Sequence, residues 1–190
     1  MSEPLPTASQ PAFATWSRVA RRVRVPLSFA FAVAYIWLAR PTRTSLLAGA
    51  LLLLPGLLLR GLASGHVQKD RQLTTSGPYA YTRNPLYLGS LMLAAGFLIA
   101  ARSVWILGLL VLMFAAIYVP VIAGEERYLR QTFPEYEDYA RHVPRFWLRL
   151  TPYGNQRDAF SSALYWKHRE YQAILGCVIV LAVLIVKLGW

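Results

Sequence analysis

The chain has 190 residues, 56% of them apolar and only 15% charged, with a formal net charge of +11. Soluble domains run at roughly 45–50% apolar and about 25% charged, so this composition argues for a bilayer. The positive charge is dispersed between apolar runs and not gathered on one basic face, which points to a membrane surface and away from nucleic acid.

Residues 1–15, rich in Pro, Ser, Thr and Ala, read as a loosely ordered tail. Residues 16–24 carry four arginines and read as a basic collar on the lipid surface, so 1–24 form one N-terminal unit. An apolar run at 25–39 gives the first span. No small-residue cleavage site precedes Arg40, so the run is read as an uncleaved span and not a signal peptide. A second span covers 44–63, with a kink or packing notch at Pro55-Gly56 and Arg60 snorkelling from its end. Spans at 86–101 and 104–123 follow, separated by so short a connection that they must form an antiparallel hairpin. The membrane core thus occupies 25–150. The remaining 151–190 read as a linker and a fifth span at about 171–188, where Cys177 is a packing residue in an apolar run. Neither strand alternation nor an internal repeat stands out, which excludes a closed barrel. The fold class expected is an all-α integral membrane protein of about five transmembrane helices.

Lysine and arginine orient it. The collar, residues 60–85 and residues 124–170 contribute four, four and eight of the 20, leaving only Arg40, Arg43, Arg102 and Lys187 for the opposite side. Positive residues stay in the cytoplasm. The multi-pass chain is therefore expected to keep its N-terminus inside and its C-terminus outside, with 64–85 and 124–170 in the cytosol.

Those two cytosolic stretches hold the polar chemistry. In Gly77-Pro-Tyr-Ala-Tyr-Thr-Arg-Asn-Pro-Leu-Tyr-Leu-Gly89, Gly77-Pro78 is a turn and Asn84-Pro85 a helix start. Asn can accept from the first-turn amides, and Pro fits the first helical position. Arg83, Tyr79 and Tyr87 cluster at the positive end of that helix, an arrangement suited to an anion bearing an aromatic group. The alternative is a capped membrane helix with interfacial tyrosines. Glu125 and Glu126 end the fourth span, set against a dipole that favours cations. They read either as a solvated patch offset by Arg127 and Arg130, or as acids holding a cationic or hydroxyl-rich ligand. Pro134 begins a short amphipathic helix with Phe133, Tyr136 and Tyr139 on one side, an interfacial belt or a flap over a pocket. His142 and Arg145 are candidates for substrate contact.

Gly77-Pro-Tyr79, Arg83-Asn-Pro-x-Tyr-x-Gly89, Glu125-Glu-x-x-Leu129, Phe133-x-x-Tyr136-x-x-Tyr139 and Val143-Pro-Arg145 occur in one order. Over roughly residues 66–150 the chain thereby resembles the isoprenylcysteine carboxyl methyltransferase group of integral membrane methyltransferases, which includes phospholipid methyltransferases. The resemblance implies S-adenosylmethionine bound at the cytosolic ends of the third and fourth spans, and a lipophilic acceptor entering from the bilayer. It sets the cofactor against Leu73, Thr74, Tyr79, Asn84, Pro85, Tyr87 and Gly89, with Glu125 closing the site. In that frame Arg83 and the nearby amides suit the methionine carboxylate. Tyr79 or Tyr87 stacks on adenine or faces the sulfonium. Glu126 is the candidate base for an amine or thiol acceptor, and Arg145 the candidate substrate contact. Three departures stand out: Asn84 replaces a histidine, Val121 replaces an arginine that serves the substrate, and the fifth span lies after the motif region, with a role the resemblance does not explain. The second predicts a neutral or cationic lipidic acceptor over a prenylcysteine carboxylate. Competing readings are an NADPH-dependent membrane reductase related to sterol reductases, and a non-catalytic membrane partner or sensor. A scaffold of that last kind has no evident need for two acids at such a depth.

Overall fold

The computed structural model describes residues 30–68, 72–155 and 158–189, and every regular element among them is helical. The tail, the collar and the first five residues of the expected first span lie outside these ranges. In chain order come α1 (30–38), α2 (Arg43–Ser64), a 3-10 turn (Gly77–Ala80), α3 (Pro85–Ala101) and α4 (Val104–Met113). A π-helical turn (Phe114–Tyr118), α5 (Val119–Thr132), α6 (Tyr136–His142), α7 (Ser162–Lys167) and α8 (Tyr171–Lys187) complete the order.

Among the described residues two helices are long and apolar enough to cross a membrane: α2, with 22 residues, and the continuous helix Val104–Thr132, with 29. Helices α3 and α8 are apolar but have 17 residues each, at the short end of what a hydrocarbon core of about 30 Å requires. The sequence reading has five spans; length and composition single out two.

Helix α2 opens on a reciprocal cap. The Thr42 hydroxyl accepts from the Ser45 amide at 3.1 Å, and the Ser45 hydroxyl accepts from the Thr42 amide at 2.9 Å. It packs against α3 through glycines seven residues apart on both helices, Gly49 facing Gly96 and Gly56 facing Gly89. A Cβ added at Gly49 would stand 2.5 Å from the Gly96 carbonyl oxygen, and one at Gly89 2.9 Å from that of Gly56. Such close backbone approach supplies the van der Waals contact that lipid cannot replace. Pro55-Gly56 therefore marks a packing notch. The opposite face of α2 turns Leu47, Leu51, Leu54 and Leu58 outward, as a lipid-facing stripe requires.

Helix α3 ends at Arg102, whose left-handed φ of 52° reverses the chain while its amide donates to Leu98. Beside this turn Tyr35, Ala39, Ala100, Ile106 and Leu184 form one buried cluster, tying α1 and α8 to the α3–α4 end. The Tyr35 hydroxyl donates to the Phe97 carbonyl at 2.8 Å. The Lys187 ammonium donates to the carbonyls of Ile36 and Trp37 at the end of α1.

The fourth helix departs from the sequence reading twice. It widens at Phe114–Tyr118, where the Val119 amide donates five residues back to Phe114. Pro120 follows at once, without an amide and with a ring that crowds the preceding turn, and the π turn relieves that conflict. The helix also continues to Thr132 and does not stop at 123. Glu125 and Glu126 thus lie inside it, not against its terminal dipole, and the basic residue of the last turn is Arg130. Two smaller corrections follow. Arg60 does not snorkel outward; it is engaged by Glu170 and Ser90. Helix α6 starts at Tyr136, after a turn containing Pro134.

Candidate functional site

The site begins with a backbone device. Gly77 takes a φ of +56°, and a Cβ there would stand 2.5 Å from the His66 ring, so only glycine turns the chain here without strain. The 3-10 turn that follows brings Tyr79 to the start of α3. The stretch after α6 then runs alongside and holds it. The Arg83 amide donates to Pro144 at 2.9 Å, the Arg149 amide to Tyr81 at 3.0 Å and the Tyr153 amide to Ala80 at 2.9 Å. The Thr82 hydroxyl and the Asn84 amide nitrogen both donate to the Arg145 carbonyl, at 3.1 and 3.4 Å. Asn84 therefore does not cap α3 with its side chain; it fastens the helix start to the segment after α6.

Between these elements and α5 lies a cleft of about 160 Å3. Of the residues expected around a cofactor, Leu73, Thr74, Tyr79, Asn84, Tyr87 and Glu125 line it, as does Arg83. Pro85 and Gly89 do not. Pro85 is buried at the helix start, and Gly89 faces α2, where Gly56 and Arg60 leave it no room for a side chain. Phe133, Tyr136 and Tyr139 form one wall. The Tyr139 hydroxyl donates to the Tyr79 carbonyl at 2.7 Å. The lining also includes Gln68, Gln72, Leu86, Tyr128 and Leu129. Tyr128 and Leu129 stand one turn beyond Glu125 on the same helical face, a spacing that would have found them. Nothing in the sequence marks Gln68 or Gln72.

The two acids part company. Glu125 is exposed to the cleft and accepts from the Tyr87 hydroxyl at 3.0 Å, so the hairpin joins the start of α3 to the fourth helix. Glu126 is 5% exposed and accepts two bonds from Arg145, Nε to Oε1 at 2.8 Å and Nη2 to Oε2 at 2.5 Å. Arg83 adds an ion pair, Nη1 to Oε1 at 3.8 Å. Expected as a base, Glu126 is occupied by two guanidinium groups. Arg145, expected at the substrate, is turned to Glu126 and does not line the cleft. Arg83 meanwhile retains a buried Nε with no hydrogen-bond partner among the described residues.

Electrostatics keep the aromatic wall neutral. Burial, and then the carboxylate of Glu125, raises the Tyr79 phenol. Burial likewise raises Tyr139 and Tyr136; for Tyr136 the charge of Glu126 adds to the rise, while Arg83 opposes it. The bond to Glu126 raises Arg145 further above its ordinary value. Among the described residues no group of histidine, cysteine and acidic side chains could hold a metal ion.

The sequence has relatives of known name. Over 86 residues it is 41% identical to the cobalt-zinc-cadmium resistance protein CzcN of Cupriavidus metallidurans, a match covering 45% of this chain and 40% of that protein. Over 84 residues it is 38% identical to the nickel-cobalt-cadmium resistance protein NccN of Alcaligenes xylosoxydans xylosoxydans, covering 44% and 39%. The chain thus matches about two fifths of the length of either relative. No solved structure matches it. The sequence model of the phospholipid methyltransferase family matches residues 45–136. That stretch holds nearly all of α2, α3, the whole fourth helix and every cleft-lining residue except Tyr139, and over it the chain is similar to the phospholipid methyltransferase family.

Proposed function

We propose that this protein transfers a methyl group from S-adenosylmethionine to a lipophilic acceptor drawn from the bilayer. One observation carries the reading: the stretch that matches a methyltransferase family is the stretch that builds the cleft. The residues present fit the cofactor. Arg83 brings to the cleft a charge whose buried Nε has no hydrogen-bond partner among the described residues, and the first turn of α3 adds amides of the kind that receive a carboxylate. Glu125 offers carboxylate oxygens for ribose hydroxyls or an amino group, and Tyr79 and Tyr87 offer ring faces for adenine or a sulfonium. The cofactor would supply a methyl group activated by its sulfonium, from which a neutral thioether would leave. The protein's own work is then to hold and to exclude. Glu126 fixes Arg145 and Arg83, and the Arg145 carbonyl fixes Thr82 and Asn84. The tyrosine wall keeps water from the cleft.

The same reading makes the chain a multi-pass protein of about five spans, with the N-terminus cytoplasmic, the C-terminus outside and the cleft open to the cytosol. In it 1–24 are tail and collar, 25–150 the membrane core, and 151–190 a linker with the fifth span. That last stretch also braces the core, through Tyr153 to Ala80, Asp158 to Ser76 and Glu170 to Arg60. Calorimetric titration tests the cofactor. S-adenosylmethionine should bind the purified protein, and Glu125→Gln should weaken it roughly tenfold to a hundredfold, the worth of about 1.5–3 kcal/mol for a charge-assisted bond. Unchanged binding in both Glu125→Gln and Tyr87→Ala, with the fold intact, would remove this site.

A further inference from the structure

A second cavity of about 580 Å3 lies along α3 and the fourth helix, a size typical of small-molecule sites. It starts one helical turn along α3 from the cleft. Leu86, Ser90, Ala94 and Leu98 are four residues apart and form one row on α3; Leu86 lines the cleft and the other three line the groove. Ser90 stands roughly 6 Å below Leu86, one helical turn. On the fourth helix Tyr118 lines the groove, its ring edge-to-face with the cleft residue Tyr87 at 6.1 Å and stacked on Phe114 at 5.6 Å. Ser90 and Tyr118 are the only polar side chains lining the groove among the described residues.

Ser90 is held from behind. Arg60 donates from Nη1 to its hydroxyl oxygen, and Glu170 at the head of α8 pins Arg60 through Nε at 2.5 Å. The Ser90 hydroxyl gives its own hydrogen to the Leu86 carbonyl at 2.8 Å. A hydroxyl has one hydrogen and two lone pairs. Here the hydrogen is spent and one lone pair is taken, so one lone pair remains. The family match ends at residue 136, so the Glu170 that fixes this arrangement is contributed by a part of the chain beyond it.

Resting on the methyltransferase reading, we propose that Ser90 is a specificity-determining residue for the acceptor. It selects an apolar-chain molecule whose head carries a hydrogen on oxygen, nitrogen or sulfur. Such a head donates to the one free lone pair, while an ether or other pure acceptor meets an oxygen with no hydrogen left to give. The chain of the molecule lies in the groove, and its head reaches the row between Ser90 and Leu86, next to the cleft.

The test compares dodecanol with dodecyl methyl ether, which share a chain and differ in that hydrogen. Each competes with tritiated dodecanol for the full-length protein held in amphipol. Wild-type protein should prefer dodecanol by about three- to tenfold, the worth of one neutral hydrogen bond. Ser90→Ala should bring the ratio near one, Ser90→Thr should keep it, and Tyr118→Phe should leave it unchanged. A wild-type ratio near one, a ratio surviving Ser90→Ala, or a ratio abolished by Tyr118→Phe alone would overturn the proposal. Cofactor titration and labelled methyl transfer are read separately on the same samples. Ser90-dependent discrimination without cofactor binding would refute the methyltransferase reading and leave this site standing. Methyl transfer that is indifferent to Ser90→Ala in acceptor KM would do the reverse.

Discussion

Replacing Glu126 by glutamine separates two roles that the sequence alone leaves together. If the carboxylate were the base, its loss would stop methyl transfer to an amine or thiol and leave binding and stability alone. The structure gives it other work, since it is buried under the Arg145 guanidinium and within 3.8 Å of Arg83. Each charge-assisted bond is worth about 1.5–3 kcal/mol, but Arg145 is half exposed and solvent screens its share. The pair together therefore amounts to about 2–3 kcal/mol, less than two full bonds. At about 2–4 °C per kcal/mol for a chain of this size, Tm should fall by about 4–12 °C. Arg145→Gln should reproduce the loss, because it leaves Glu126 buried with one distant partner. Tryptophan fluorescence during heating measures Tm, and cofactor titration measures what becomes of Arg83. If Glu126→Gln abolished transfer while Tm stayed within about 2 °C and cofactor affinity did not change, Glu126 would be the base and the clamp reasoning would fail.

Other consequences are as direct. Gly49→Ala should destabilise despite its better helix propensity, worth about 1 kcal/mol, because its Cβ meets the Gly96 backbone at 2.5 Å. The same change at Gly108, which has nothing within 4 Å, should be neutral or stabilising; equal effects at both sites would discount the seam. Tyr139 and Tyr79 are raised above the ordinary tyrosine value of 10.0, so the fold favours their neutral forms. Their contribution is complete below pH 10 and declines as pH rises beyond it. Tm followed from about pH 8 to 11.5 should therefore drop above 10, and less steeply in Tyr139→Phe; parallel curves would count against a buried phenol. A cysteine at Arg102 should react with an impermeant thiol reagent outside intact cells and one at Gln131 should not, whereas the opposite pattern would reverse the orientation and with it the cytosolic cleft.

Much of the site is legible in the sequence because its signals are local. Gly77-Pro78 and Asn84-Pro85 are punctuation that any chain must obey, and the short link 101–103 forces the hairpin that brings Tyr87 to Glu125. What the sequence conceals is register. The π turn at Phe114–Tyr118 adds a residue to one turn and rotates everything after it. No count along the chain therefore says which of Glu125 and Glu126 faces the cleft and which is buried under Arg145. Gly89 misleads for a different reason: a glycine beside a functional motif can serve the ligand or the neighbouring helix, and only the matching glycines on α2 show that it serves the helix. The strand-like lacing of 144–153 onto 80–83 runs through backbone groups, and backbone bonds leave no side-chain signature.

The acceptor's charge is where local and long-range information have to be combined. Val121, standing where the resembling enzymes have an arginine, is 38% exposed and lines neither cavity. Arg145 commits its guanidinium to Glu126, and Arg60 commits its own to Glu170 and Ser90. The groove beside the cleft is thus lined, among the described residues, without a single cation. A carboxylate carried into it would be an unpaired charge in an apolar space, a strongly disfavoured state. A neutral or cationic acceptor, the expectation drawn from Val121, suits that lining, while Arg83 lies in the cleft, where it is proposed to serve the cofactor. Arg145 and Arg60 each face an acid that a simple count of charges would have left free.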